Sequence, residues 1–181
     1  MRLSLLALGL LGVAALLGAC RELQIPISLD PGQYREGTET VPLLYEARSF
    51  DLRLRPEPLV FSPPSPRLTY AGVDARIAVT VSTAPAVDGS GYFALYLANG
   101  VGGCSMEDVY RRENLVTEQT LPLDVEADLL VRGELTPAQL DGVNTGRLCL
   151  GAAFAVRGSD YFRAVTVSWR FSRLVVGVGI L

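Results

Sequence analysis

The sequence lacks two residue types altogether, because none of its 181 residues is histidine or lysine. Histidine is the commonest general base and metal ligand at neutral pH. Its absence excludes serine–histidine and cysteine–histidine nucleophilic sites and histidine zinc sites. No nucleophile–base motif is present either, so we predict a non-enzymatic protein with no catalytic residue, no metal site and no cofactor.

Positive charge is scarce and unevenly distributed. Sixteen arginines stand against 19 acidic residues, and no basic cluster suggests nucleic-acid binding. Residues 145–181 hold five arginines and one acid, whereas residues 74–141 hold four arginines and eleven acids. Acidic and basic strands that lie side by side would explain this asymmetry. The alternative is a charged face that binds a partner.

Long apolar runs are also rare, and the longest is Leu3–Leu17, which follows Arg2. A short positive segment, an apolar stretch and small residues at its end are typical of a secretory signal peptide. The run of about 15 residues is shorter than the roughly 20 that a membrane-spanning helix needs. It ends in the small residues Gly18 and Ala19, directly before Cys20.

This ending resembles the lipobox of bacterial lipoproteins. The resemblance implies that residues 1–19 are a signal helix that is removed and that Cys20 becomes a lipidated N-terminus. It further implies a cell-envelope location, with the protein lipid-anchored to a membrane and facing the periplasm or the exterior. The resemblance covers only the first twenty or so residues, and no family is recognised for residues 21–181.

Cysteine is limited to three residues, of which Cys104 and Cys149 remain once Cys20 is assigned to the lipid. An even pair in an exported domain predicts a disulfide. Closing a loop of about 45 residues contributes about 4 kcal/mol in the chain-entropy description.

No helix-period stretch follows the signal, whereas alternation of apolar and polar residues recurs in many short segments. Residues 20–181 are therefore predicted to form one all-β domain, an immunoglobulin-like β-sandwich of about eight antiparallel strands. An eight-stranded lipocalin-like barrel is the alternative. The lipocalin family shows Gly-x-Trp near its start, whereas the single tryptophan here is Trp169.

Local signals add detail to this prediction. The cleanest alternation runs from Leu121 to Val131 and predicts one strand, and a phase slip near Arg48 predicts a β-bulge or a tight corner. Thr136 before a proline predicts a single helical turn. The turn-forming run 158–160, between two alternating segments, predicts a hairpin.

The longest irregular stretch, residues 99–114, is the candidate recognition loop, since long loops on rigid sandwiches often carry function. Tyr110, Arg111 and Arg112 are residue types enriched at binding hot spots. The alternative is a surface loop held in place by the disulfide. The alternating acids at positions 124, 126 and 128 are interpreted as a solvent-facing strand rather than an acid–base pair.

Together these observations predict a membrane-anchored lipoprotein that acts as a binding or structural module. Its partners would be the membrane, through Cys20, and another envelope protein. The alternative is a small-molecule or lipid carrier with a lipocalin-like β-barrel.

Overall fold

The computed structural model describes residues 26–178, so the signal segment and Cys20 lie outside the described residues. The described residues form eight strands: β1 (Ile27–Ser28), β2 (Glu36–Arg53), β3 (Glu57–Val60), β4 (Gly72–Ala84), β5 (Gly89–Asn99), β6 (Leu115–Pro122), β7 (Ala127–Glu134) and β8 (Arg147–Gly177). Two short helices accompany them, α1 (Met106–Val109) and α2 (Pro137–Thr145). All pairings among these strands are antiparallel, which confirms the all-β prediction. Neither helix has the length and apolar character that crossing a membrane requires.

The 31-residue strand β8 is the centre of the sheet. One of its edges pairs in turn with β3, β2 and β1, and the other edge pairs with β5 and β4. Beyond these, β6 pairs with β5 and β7 pairs with β4. The chain therefore lays four long ribbons side by side, in the order 27–60, 147–177, 72–99 and 115–134.

Each ribbon bends near its middle, at residues 43–46, 158–163, 85–88 and 123–126. The bend folds the sheet into two layers that face each other, as the contact between Phe154 and Trp169 shows: their ring centroids lie 5.9 Å apart although both belong to β8. An immunoglobulin-like domain stacks two separate sheets, whereas these layers are halves of one sheet. The sheet nearly closes where Gln119 Nε2 of β6 donates to the Leu130 carbonyl of β7 across 3.3 Å.

The prediction of a hairpin at residues 158–160 is wrong, since one strand, β8, spans this run. β8 continues through this run although residues 159–161 have no registered partner: Gly158 is registered against Gly89, and the Ser159 amide donates to the Asp88 carbonyl. The strand expected from Leu121 to Val131 is instead two strands, one in each layer. At the corner between them, Asp124 adopts a φ of 60°, in the left-handed region that ends an extended segment.

The inward residues of both layers form one apolar core. Its most buried large side chains include Phe93, Leu95, Leu97, Leu150 and Phe162, each at most 1% exposed. Helix α2 covers one end of this core. It begins with the capping box of Thr136 and Gln139 and runs for nine residues, longer than the single turn expected.

Pairing between strands accounts for part of the charge asymmetry. Arg157 lies 2.8 Å from Asp51, and Arg163 binds Glu46. Arg173 lies 3.7 Å from the buried carboxylate of Asp74. Three of the five arginines in residues 145–181 are thus paired across the sheet. Only one of their partners, however, belongs to the acidic segment 74–141.

Candidate functional site

The recognition loop expected at residues 99–114 is tied to the sheet by the predicted disulfide. Cys104 and Cys149 are bonded, with their Cα atoms 5.5 Å apart, which confirms that prediction. Beyond Cys104 the chain forms helix α1, whose N-terminus is capped where the Asp108 amide donates to Ser105 Oγ across 3.1 Å. The loop is therefore built on a fixed base.

Tyr110 points into this base rather than toward solvent, and only 8% of it is exposed. The single proton of its hydroxyl is shared between two carbonyl oxygens, that of Leu54 at 2.6 Å and that of Ala152 at 2.9 Å. Burial raises the pKa of Tyr110, since ionisation would leave a phenolate without water. The hydroxyl is therefore already used to join β8 to Leu54, the residue after β2, and a contact of Tyr110 with a partner stays a prediction.

The position that makes room for this ring is Gly151 of β8. A Cβ atom there would lie 2.7 Å from Val109 and 3.2 Å from the Tyr110 ring. The ring also packs edge-on against Tyr96, with centroids 5.0 Å apart, and the Arg53 guanidinium lies 5.3 Å from its centroid. The packing of the Tyr110 ring thus holds the loop against the outer face of one layer.

Arg111 and Arg112 differ from Tyr110 because both are exposed. Arg111 lies 2.7 Å from the Asp108 carboxylate, whereas Arg112 makes no ion pair with any residue of the described part of the chain. Both guanidinium groups face solvent on a rigid base, so their role as partner contacts stays a prediction.

A shallow groove of about 150 Å³ lies beside the loop, on the same outer face. Its floor is made of small side chains, Ala94, Ala153 and Ala155, and its walls include Tyr92, Tyr96, Asp51, Arg53 and Glu118. Aromatic walls, one cation and two carboxylates suit stacking and hydrogen bonding to an extended polar chain. The only sequence signal for this groove was that Tyr92 and Tyr96 share the face opposite the core.

The acids at positions 124, 126 and 128 are all exposed, as expected for a solvent-facing segment. They lie at and just beyond the corner between β6 and β7, away from the groove and from the loop.

Comparison with known proteins gives no family. No protein-family model matches the chain, and no curated protein matches it. Among solved structures, the chain is similar to a chain in a structure of infectious bursal disease virus, Gt strain. The TM-score is 0.41 and the identity is 10%, over 87% of this chain and 33% of the viral chain. A second, of the Gx strain, has a TM-score of 0.33 and 12% identity over 85% of this chain and 38% of that chain. The chain thus spans between a third and two-fifths of these viral chains.

Proposed function

We propose that this protein is a lipid-anchored lipoprotein of the bacterial cell envelope, whose β domain is a non-enzymatic binding or structural module. The observation that carries the proposal is the short distance in sequence between the lipobox-like cysteine and the fold. Cys20 precedes Ile27, the first residue of β1, by only seven positions. At about 3.3–3.6 Å per extended residue, the domain would begin within about 25 Å of the anchored sulfur.

The packed interior supports a module that binds through its surface. A carrier would need a hollow between the layers, but large side chains from both layers meet there: the rings of Phe154 in one layer and Trp169 in the other have centroids 5.9 Å apart, and Phe93 packs beside Phe154 at 5.5 Å. The grooves that the described residues form open instead to solvent. The exposed pair Arg111 and Arg112, next to the tyrosine-walled groove, is the contact surface we propose for another envelope protein.

Metabolic labelling tests the anchor. Cells that make the wild-type protein or Cys20→Ala are fed an alkyne-tagged fatty acid, and the protein is then purified under denaturing conditions. We expect label on the wild type and none on Cys20→Ala, because the thioether forms only on that sulfur. Labelling that persists in Cys20→Ala would overturn the proposal.

Crosslinking in intact cells, followed by affinity purification, tests the contact surface. Arg111→Glu/Arg112→Glu is expected to lose a protein that the wild type retains. Arg170→Glu is the matched control, since Arg170 is also exposed and makes no ion pair with a described residue. Equal recovery of that protein with the wild type, with Arg111→Glu/Arg112→Glu and with Arg170→Glu would contradict the assignment of this surface. Recovery of a tightly bound lipid or small molecule, with no protein, would favour a carrier.

A further inference from the structure

Two neighbouring apolar side chains at the bend of the sheet are almost completely exposed, Leu44 at 96% and Tyr45 at 86%. They lie in a bulge of β2. Pro42 is registered against Ala164 and Ala47 against Phe162, so four residues of β2 stand opposite the single residue Arg163 of β8. We call Leu44 and Tyr45 the distal tip. Adjacent exposed apolar side chains of this size mark interaction sites more often than isolated ones do.

The bulge is held on both sides. Arg163 donates to Glu46 Oε1 from Nε, at 2.8 Å, and also from Nη2. On the other side, the Arg48 guanidinium lies 4.4 Å from the centroid of the Tyr161 ring. A loop braced in this way loses little conformational freedom when it binds, which favours a docking role for the side chains it presents.

The distal tip lies at the end of the domain opposite the N-terminal strand. Ile27 of β1 is registered against Val176, thirteen residues along β8 from Arg163. At about 3.3 Å per residue, these positions are separated by about 40 Å. This orientation rests on the proposed function: if Cys20 anchors the chain, the distal tip faces away from the anchoring membrane.

The surroundings of the distal tip are acidic. The four bend segments, counted with Arg48 just beyond the first of them, carry five acids, namely Glu46, Asp88, Asp124, Glu126 and Asp160, against two arginines, Arg48 and Arg163. The net charge of −3 would repel an anionic lipid surface. It would attract a protein surface whose apolar pocket is bordered by cations.

We propose that the distal tip docks into an apolar pocket on another envelope protein, and that arginine or lysine residues border this pocket. Leu44 and the Tyr45 ring supply the apolar contact, and the acidic bend orients the partner. This surface is separate from Arg111 and Arg112, which follow the opposite end of β5, about 30 Å from the bend.

Site-specific photo-crosslinking in intact cells tests the proposal with the full chain. Benzoylphenylalanine is placed at Tyr45 and, as the matched control, at Val60, which is also apolar and 79% exposed but lies in β3, far from the bend. We expect one crosslinked protein from position 45 and none from position 60. Leu44→Glu in the same chain should reduce the yield at least tenfold, and Asp88→Arg several-fold.

The crosslinked peptide, identified by mass spectrometry, should combine apolar residues with arginine or lysine. Equal crosslinking from both positions, or a yield unchanged by Leu44→Glu, would overturn the proposal. Crosslinks to lipid or to a second copy of the chain would also overturn it.

Labelling the same cells with the tagged fatty acid distinguishes a failure of the docking proposal from a failure of the lipid-anchor proposal. Loss of the position-45 crosslink with labelling intact would refute docking alone. A crosslink that persists in a protein carrying no label would refute the anchor alone. Thermal melts of the variants exclude misfolding as the cause, since Leu44 and Asp88 are not core residues.

Discussion

Replacing Tyr110 with phenylalanine separates a structural tyrosine from a binding one. The change deletes one hydroxyl and leaves the ring in its place against Tyr96 and Gly151. The Ala152 carbonyl keeps another donor, because the Leu54 amide also reaches it at 3.0 Å. The Leu54 carbonyl, in contrast, loses the hydroxyl that lies 2.6 Å from it.

An unsatisfied buried polar group costs about 1–3 kcal/mol. At the middle of this range, about 2 kcal/mol, a domain of this size should lose about 4–8 °C in melting temperature. Thermal unfolding followed by circular dichroism measures this loss in purified Tyr110→Phe. Tyr45→Phe is the control, because its hydroxyl is on an exposed side chain and its removal should shift the melting temperature by less than about 1 °C.

The reasoning would be refuted if Tyr110→Phe and Tyr45→Phe melted together at the wild-type temperature. It would also be refuted if Tyr110→Phe kept its stability but lost a protein partner. That second result would mean that the hydroxyl contacts a partner instead of the two carbonyls.

Three further predictions address the stability of the domain. Reduction of the disulfide should lower the free energy of unfolding by about 4 kcal/mol, measured by urea denaturation with and without reductant; equal curves would contradict it. Burial raises the pKa of Tyr34 to about 12, above its unfolded value near 10. The folded state then binds the proton more tightly, so stability should fall as pH rises above about 10, and denaturation curves at pH 9 and 11 should differ in that sense. Arg163→Glu should lower the melting temperature by about 1–3 °C, because an exposed ion pair is worth about 0.2–1 kcal/mol. Arg147→Glu, at an exposed arginine of β8 that is registered against Val60, should leave it unchanged, and an equal drop in both would show that pairing with Glu46 is not the cause.

The parts of the fold that could be predicted from the sequence are those that local chemistry decides. A period of two identifies strands wherever one face is buried, and Thr136 with Gln139 forms the capping box that its spacing allows. The turn-forming residues 158–160 do lie at the bend of β8, but no hairpin forms there because the two flanking halves of β8 pair with β4 and β5 and not with each other.

The site was harder to predict because burial depends on distant residues. Tyrosine is enriched at protein interfaces for the same reason that Tyr110 suits the edge of a core: the side chain has an apolar ring and one polar atom. The Tyr110 ring can be buried because Gly151, forty-one positions later, has no side chain in the space that the ring occupies. The phase slip near Arg48 correctly indicated an irregularity in β2, since the register shifts between Ala47 and Ser49; a second shift lies between Pro42 and Ala47. This second shift exposes Tyr45, which simple alternation would place on the same face as Val41.

Depth measurements in vesicles test the central claim, that the domain stands on a membrane with its bend directed outward. The purified lipidated protein is placed in vesicles with nitroxide-labelled lipids and carries a fluorescent amino acid at Ser28, an exposed residue of β1, or at Tyr45. We predict strong quenching at position 28 and none at position 45, about 40 Å further along the domain. Equal quenching at both positions, or quenching confined to position 45, would contradict the account.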